Sequence, residues 1–315
     1  MEAYPLKFKP IFKERIWGGR SLAEVFRKKL PPDVKIGESW ELADLPQDKS
    51  RIINGFLTGK TIAEAIEILG PAITGKLDYS PPLPLLVKIL DANDILSVQV
   101  HPDEETIART GKGNPKTECW YIIDTQPGAC IYKGLKPGTT RQKFVKAIED
   151  GTCAELLEKV EVEVGQCHLI PAGTLHAIGP GNLIAEIQQP SDTTYRVFDW
   201  NRVDDNGKSR QLHIEDALES IHFDSSKDDL SVRSVGRLVD TELFKVDKST
   251  QTPHSELLVS PDIMKVLMIL SGSGVIKSLS GETEKFAKGQ TLLIPAVYEG
   301  TIIFDEYTQF LTITI

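Results

Sequence analysis

A segment that occurs twice in the chain restricts the fold more than any other feature. Residues 164–178, VGQCHLIPAGTLHAI, align without gaps against residues 288–302, KGQTLLIPAVYEGTI. Gly165 falls on Gly289, Pro171 on Pro295, Ala172 on Ala296 and Ile178 on Ile302. G-Q-x-x-L-I-P-A is also an ordinary turn–strand–turn. Similar strand patterns surround both copies, however, so the chain reads as the duplication of one β unit. Gly300 stands in the second copy where His176 stands in the first. If the halves share a fold, only the first carries chemistry.

The rest of the chain supports a mainly β fold. LPLLVKIL (83–90), LSVQVH (96–101), TECWYIID (117–124) and ACIYKG (129–134) are apolar or alternating runs bounded by Asp, Asn, Gly and Pro. Lys88 inside the first run suggests a strand with one face partly open. After residue 234 the strand pattern resumes in 262–272, 273–279, 289–296, 301–304 and 310–315. Many short strands with Gly/Pro turns indicate a sandwich or barrel. Residues 139–160 differ: Phe144, Val145 and Ile148, then Leu156, Leu157 and Val160, fall at helical spacings interrupted by Gly151. This predicts two short helices, and IEDALESI (214–221) predicts another. HFDSSKDDLSVRS (222–234) is polar and Ser-rich and reads as a connection. A length of 315 residues allows about two domains, expected at 1–226 and 227–315.

Composition removes several functional classes. No apolar run reaches the roughly 18–20 residues of a membrane helix, and the amino terminus has no secretory pattern, so a cytoplasmic protein is expected. Cys119, Cys130, Cys153 and Cys167 form no C-x-x-C pair and read as reduced thiols. A net charge of −9 is the wrong sign for a general nucleic-acid binder. A local cluster of Arg and Lys could still hold a small anion.

Three polar sites interrupt apolar strands. Alternation puts Gln99 and His101 on one strand face, which suits either a metal site or an edge-strand hydrogen-bonding pair. Glu118 shares a face with Trp120 and Ile122, so it needs a cation or hydrogen bonds, or else it pairs with Lys116 at a surface strand end. The third site is Gly165-x5-Pro171-x-Gly173-x2-His176. Its glycines permit tight turns, its proline fixes the chain direction, and His176 opens the next strand facing inward. His168, His213, His222 and His254 have no such context and read as ordinary surface or core residues.

The third pattern resembles the second sequence motif of the cupin superfamily. Gln99-x-His101, with Glu118 further along, is an altered form of the first. The strings PLLVKILDANDILSVQVHPD (84–103), GNPKTECWYII (113–123), LIPAGTLHAIGPG (169–181) and SDTTYRVFDWNR (191–202) resemble the type I phosphomannose isomerases. IWGG (16–19) and GESWEL (37–42) fit too, and the brief helical insert at 139–160 resembles the short bacterial branch.

The resemblance implies two cupin-like jelly-roll barrels, the second without metal ligands. It also implies interconversion of mannose 6-phosphate and fructose 6-phosphate through an enediol. By motif position, Gln99, His101, Glu118 and His176 match metal ligands. Arg196 matches the catalytic arginine, and Lys116 and Glu186 match acid/base candidates. Trp17 matches a pocket wall, and Ser97 and Lys88 match substrate-proximal positions. Ile178 stands where family members often have tyrosine. The donor set suits one zinc ion per chain. Glu186 is expected as the base or as a structural carboxylate bound to Arg196. Arg196 is expected as an electrostatic stabiliser or phosphate clamp, or in a rim salt bridge with Asp192 or Asp199. The implied partner is a sugar phosphate, with no nucleic acid or membrane, for a monomer or weak homo-oligomer. The rivals are a sugar-binding cupin without turnover and a cupin dioxygenase, which would need a redox metal.

Overall fold

Alternation along a single strand separates two cores. In Glu118–Thr125, Trp120 and Ile122 join Leu90, Ile131, Ile170 and Ile178 inside a barrel. Cys119 and Tyr121 point the other way, into a cluster with Val266, Met268, Leu311 and Ile313. That second cluster lies between two barrels. The computed structural model describes residues 3–203, 207–224 and 231–315, and in it each barrel is a pair of antiparallel sheets.

The first barrel's larger sheet runs Val232–Arg233, Cys167–Ile170, Glu118–Thr125, Asn182–Gln188, Leu86–Ala92, Ile36–Leu42, Ile11–Gly19. Its smaller sheet runs Tyr195–Phe198, Val98–Val100, His176–Ile178, Cys130–Leu135, Leu157–Glu161. The second barrel pairs a sheet of Glu256–Val259, Gly300–Phe304, Ser273–Ser278 and Thr283–Ala287 with a larger one. That larger sheet contains Gly236–Asp240, Lys245–Gln251, Thr308–Thr314, Lys265–Ser271 and Thr291–Ile294. It is completed by Leu6–Lys9 and Arg51–Ile52, with Leu6 opposite Leu293 and Phe8 opposite Ile52. The amino-terminal segment thus belongs to the sheet of the carboxy-terminal barrel.

Both copies of the repeat fold alike. Cys167–Ile170, a turn and His176–Ile178 match Thr291–Ile294, a turn and Gly300–Phe304. A Cβ on Gly300 would lie 2.2 Å from the carbonyl oxygen of Lys277. The backbone there leaves no room for a side chain, let alone an imidazole. Leu267, Ile269, Ile276, Phe286, Leu292, Phe304 and Phe310 fill this barrel's interior.

Between residues 139 and 160 the structure corrects the expectation of two helices. Arg141–Glu149 is helical, capped by the Thr140 side chain accepting from Lys143 N, with Phe144 and Ala147 buried beneath it. After a single 3₁₀ turn at Cys153–Leu156, residues Leu157–Glu161 form an edge strand with Val160 opposite Ile131. Edge pairing overrides the helical spacing because Leu157 already finds burial there and Val160 is β-branched. The expected helix near 214–221 is Ile214–Ser220. In the expected connection, residues 225–230 lie outside the described residues, while Val232 and Arg233 pair with His168 and Cys167. The helix Ile62–Leu69 was not anticipated. Its signal is the capping box formed by Thr61 and Glu64.

Leu6 is 1% exposed in the core between the barrels, whereas Ile53, just beyond the neighbouring strand, is 50% exposed. Leu6→Ala should lower the unfolding free energy by about 2–5 kcal/mol. Ile53→Ala should change it by about 0.5 kcal/mol or less. Chemical denaturation checks both, and equal effects would contradict the placement of this strand.

Candidate metal centre and pocket

Three strands deliver the polar residues to one end of the first barrel. His176 opens its strand directly opposite Gln99, and Glu118 opens its own opposite Ile170. His101 follows Val98–Val100 without interruption. The ligand atoms of His101, Glu118 and His176 all lie within 4.8 Å of one another, with the three residues fully buried. His101 Nε2 is 3.4 Å from Glu118 Oε2, and His176 Nε2 is 3.6 Å from Glu118 Oε1. The other ring nitrogens face backbone carbonyls, with His101 Nδ1 2.8 Å from Thr193 O and His176 Nδ1 2.9 Å from Thr174 O. Each carbonyl holds the proton on Nδ1 and leaves the Nε2 lone pair turned toward the carboxylate.

This cluster fits a divalent cation. Neither oxygen of Glu118 has a hydrogen bond of good geometry, although Lys116 Nζ stands 2.6 Å from Oε2. Burial, reinforced by Lys116, pushes the His101 imidazole down to about 4, and burial also lowers His176. Burial opposes the charge on Glu118, but Lys116 and His101 hold its carboxyl well below the usual range. Two neutral imidazoles and a carboxylate are the protonation states a metal requires. Gln99 reaches the same point, its Nε2 3.2 Å from His176 Nε2 and its Oε1 accepting from Ser97 Oγ at 3.3 Å. A half-turn of its terminal torsion exchanges nitrogen for oxygen.

A cavity of about 470 Å³, within the usual range for small-molecule sites, reaches the cluster through Gln99 and Lys116. Trp17, Lys88, Ser97, Gln99, Lys116, Glu186 and Arg196 all line it. Trp17 holds its place by lying against Gly37, where a Cβ would come 2.6 Å from the indole ring. Lys88 is 4% exposed, so its strand has no open face. Its Nζ is 3.0 Å from Glu186 Oε1, opposite which it sits in the sheet. Glu186 Oε2 accepts from Trp120 Nε1 at 3.2 Å, and Lys116 Nζ is 3.9 Å from Oε1. The partners of Glu186 are therefore Lys88, Trp120 and Lys116 rather than Arg196. Burial works against the Lys116 ammonium, but Glu118 and Glu186 hold its pKa above the ordinary value.

Arg196 also departs from one expectation. Its Nε donates to Ser97 Oγ at 3.2 Å and its Nη1 to Gln211 O at 2.8 Å. It makes no ion pair among the described residues. Asp199 is taken instead by Arg202 at 2.6 Å and by both Nε and Nη2 of Arg210 at 2.7 and 2.5 Å. Sequence reasoning missed Arg15, Glu38 and Arg210, which line the same cavity. Arg15 Nε donates to Glu38 at 2.7 Å, and Trp40 Nε1 donates to it at 2.6 Å. An acid and a tryptophan alternating in GESWEL were the available signal. His168 is buried with both ring nitrogens lacking a hydrogen bond, and burial lowers it to about 4. His213 Nδ1 accepts from Arg196 N at 3.2 Å.

His101→Ala and His176→Ala should each abolish stoichiometric metal binding, measured by elemental analysis of the purified protein. Gln99→Ala should lose less, since a neutral amide is the poorest donor of the set. Full metal content in His176→Ala would contradict the assignment.

Residues 6–130 match the family described as phosphomannose isomerase type I, catalytic domain. The chain is 38% identical over 309 residues to the mannose-6-phosphate isomerase ManA of Bacillus subtilis, covering 94% of each. It is 35% identical over 303 residues to the mannose-6-phosphate isomerase of Streptococcus mutans, covering 93% of each. The crystal structure of the mannose 6-phosphate isomerase from Bacillus subtilis superposes with a TM-score of 0.88 at 31% identity. That superposition covers 99% of this chain and 100% of the other.

Proposed function

The chain belongs to the type I phosphomannose isomerases, and from that premise we propose that it interconverts mannose 6-phosphate and fructose 6-phosphate in its 470 Å³ cavity. The observation that carries this reading is the buried His101–Glu118–His176 cluster, joined through Gln99 and Lys116 to a cavity that Glu186 and Arg196 also line. We take Gln99, His101, Glu118 and His176 as the metal ligands, and zinc as the ion, one per chain. Aldose–ketose exchange needs no redox change, and a zinc ion held by these residues would supply Lewis acidity to the sugar.

The chain's own residues supply the proton chemistry. Glu186 takes the proton from C2 of the open-chain aldose, the C1=C2 double bond forms, and the C1 carbonyl electrons move onto O1 to give an enediolate. Returning that proton from Glu186 to C1, while the O2 hydroxyl proton passes to O1 and O2 becomes the carbonyl, yields the ketose. Lys88 and Trp120 fix the carboxylate at 3.0 and 3.2 Å, with Glu186 in the cavity wall. Lys116, with its pKa raised, remains an ammonium and donates to the oxygen that gains negative charge. Arg196 has no anionic partner among the described residues and stabilises the same developing charge; its link through Ser97 to Gln99 sets it beside the ligand set. Trp17 closes one wall. We take residues 1–226 as the catalytic unit and 227–315 as its support, with Leu6–Lys9 and Arg51–Ile52 crossing into the sheet of the second barrel and Val232–Arg233 into that of the first. We take the location to be cytoplasmic, where the four buried cysteines stay free thiols. We take the protein to act as a monomer or weak homo-oligomer.

A coupled assay for fructose 6-phosphate should show activity that a chelator removes and zinc restores. Chelator-resistant turnover, or none after metal reconstitution, would refute the proposal. Arg196→Ala should lower kcat and kcat/KM together by roughly 10²–10³, the loss expected for a donor acting on the transition state. Lysine at this position should rescue little, having no planar fork. A raised KM with unchanged kcat would instead make Arg196 a phosphate clamp.

A further inference from the structure

His222 lies outside the pocket, yet it touches both segments that carry the histidine ligands. It follows the helix Ile214–Ser220. That helix is tied down by ion pairs from Glu219 to Arg109 and Arg141, and from Asp216 to Lys112. The backbone N–H of His222 donates to Gly173 O at 2.9 Å, and its Nε2 lies 2.8 Å from Asp103 Oδ2. Asp103 is two residues beyond His101, and Gly173 is three before His176. The two loops also meet directly, with Gly173 N donating to His101 O at 2.8 Å.

The imidazole occupies the space where a residue-173 side chain would sit. Gly173 has φ +84°, and a Cβ there would come within 2.4–2.5 Å of three His222 ring atoms. Asp103 uses its other oxygen to cap the helix Glu104–Thr110, accepting from Thr106 N at 2.8 Å. One carboxylate oxygen is thereby fixed and the other is left for His222. The ligand-bearing strands need such help. Val98–Val100 and His176–Ile178 meet at the single pair Gln99–His176, so their own ladder does little to set the spacing of the two imidazoles.

We propose that His222 is a positioning residue for the metal centre. Its hydrogen bond to Asp103 anchors the His101 loop, while its backbone and ring anchor the His176 turn. The distance between the ligands is then set before a metal arrives. This rests on the metal centre proposed above.

The test is a Co²⁺ titration of the full-length metal-free protein, followed by visible absorption. His222→Phe keeps a ring over Gly173 but loses the bond to Asp103, and His222→Gln keeps a donor. His222→Phe and His222→Ala should weaken the Co²⁺ Kd by about 10–100-fold, the usual cost of losing a group that orients metal ligands. His222→Gln should recover most of that loss. The thermal midpoint of the metal-free Phe variant should match wild type, and its KM at saturating metal should be unchanged. Wild-type affinity in His222→Phe would overturn the proposal, and so would a Gln variant as weak as Phe. If wild type itself took up no Co²⁺, the metal-centre reading would fall, a result distinct from either.

Discussion

Four charges alternate in sign through the interior of the first barrel, and the rest of the site is arranged around them. Lys88 meets Glu186 at 3.0 Å, Glu186 meets Lys116 at 3.9 Å, and Lys116 meets Glu118 at 2.6 Å. All four are at most 4% exposed. Removing one member leaves its neighbour as an uncompensated buried charge, which costs several kcal/mol. Strand register makes the arrangement possible: Glu186 faces Lys88 on one side and Trp120 on the other. The charge row needs a rigid wall behind it. The apolar cluster shared by the two large sheets supplies that wall.

Duplication gave the molecule two similar barrels with opposite interiors. The first keeps its polar residues at one end, over the apolar floor of Trp120, Ile122 and Ile170. The second fills the equivalent space with phenylalanine and leucine. The turn entering each repeat is conserved in geometry, Gly165 at φ +94° and Gly289 at φ +82°. The turn leaving it keeps its hydrogen bond, Thr174 N to Pro171 O and Tyr298 N to Pro295 O, but Gly173, at φ +84°, gives way to Val297.

What the sequence made legible follows from period and from punctuation. Period two placed Glu118, Trp120 and Ile122 on one face, and the structure puts them there. Glycine and proline marked both copies of the repeat. The second helix expected within 139–160 failed because, in the edge strand Leu157–Glu161, Leu157 and Val160 turn to opposite faces and each finds its own apolar cluster. The partners of Glu186 and Arg196 were beyond reach, since they depend on which strands become neighbours. Arg210 and Arg15 were missed for the same reason. Their charges look like ordinary surface polarity until Arg15 meets Glu38 and Arg210 meets Asp199, which sets both guanidinium groups in the pocket wall.

The strand Leu6–Lys9 pairs with Thr291–Ile294, nearly the whole chain away. On the ribosome, this strand must therefore wait for a partner made much later before its sheet can close. Until then, the outward face of the first barrel, with Val87, Ile89, Cys119, Tyr121 and Ile187, has no partner to cover it. Non-local pairing of this kind slows folding and prolongs the life of sticky intermediates. Translation speed over the final residues, and the company of chaperones while they emerge, thus bear on how much usable protein a cell obtains.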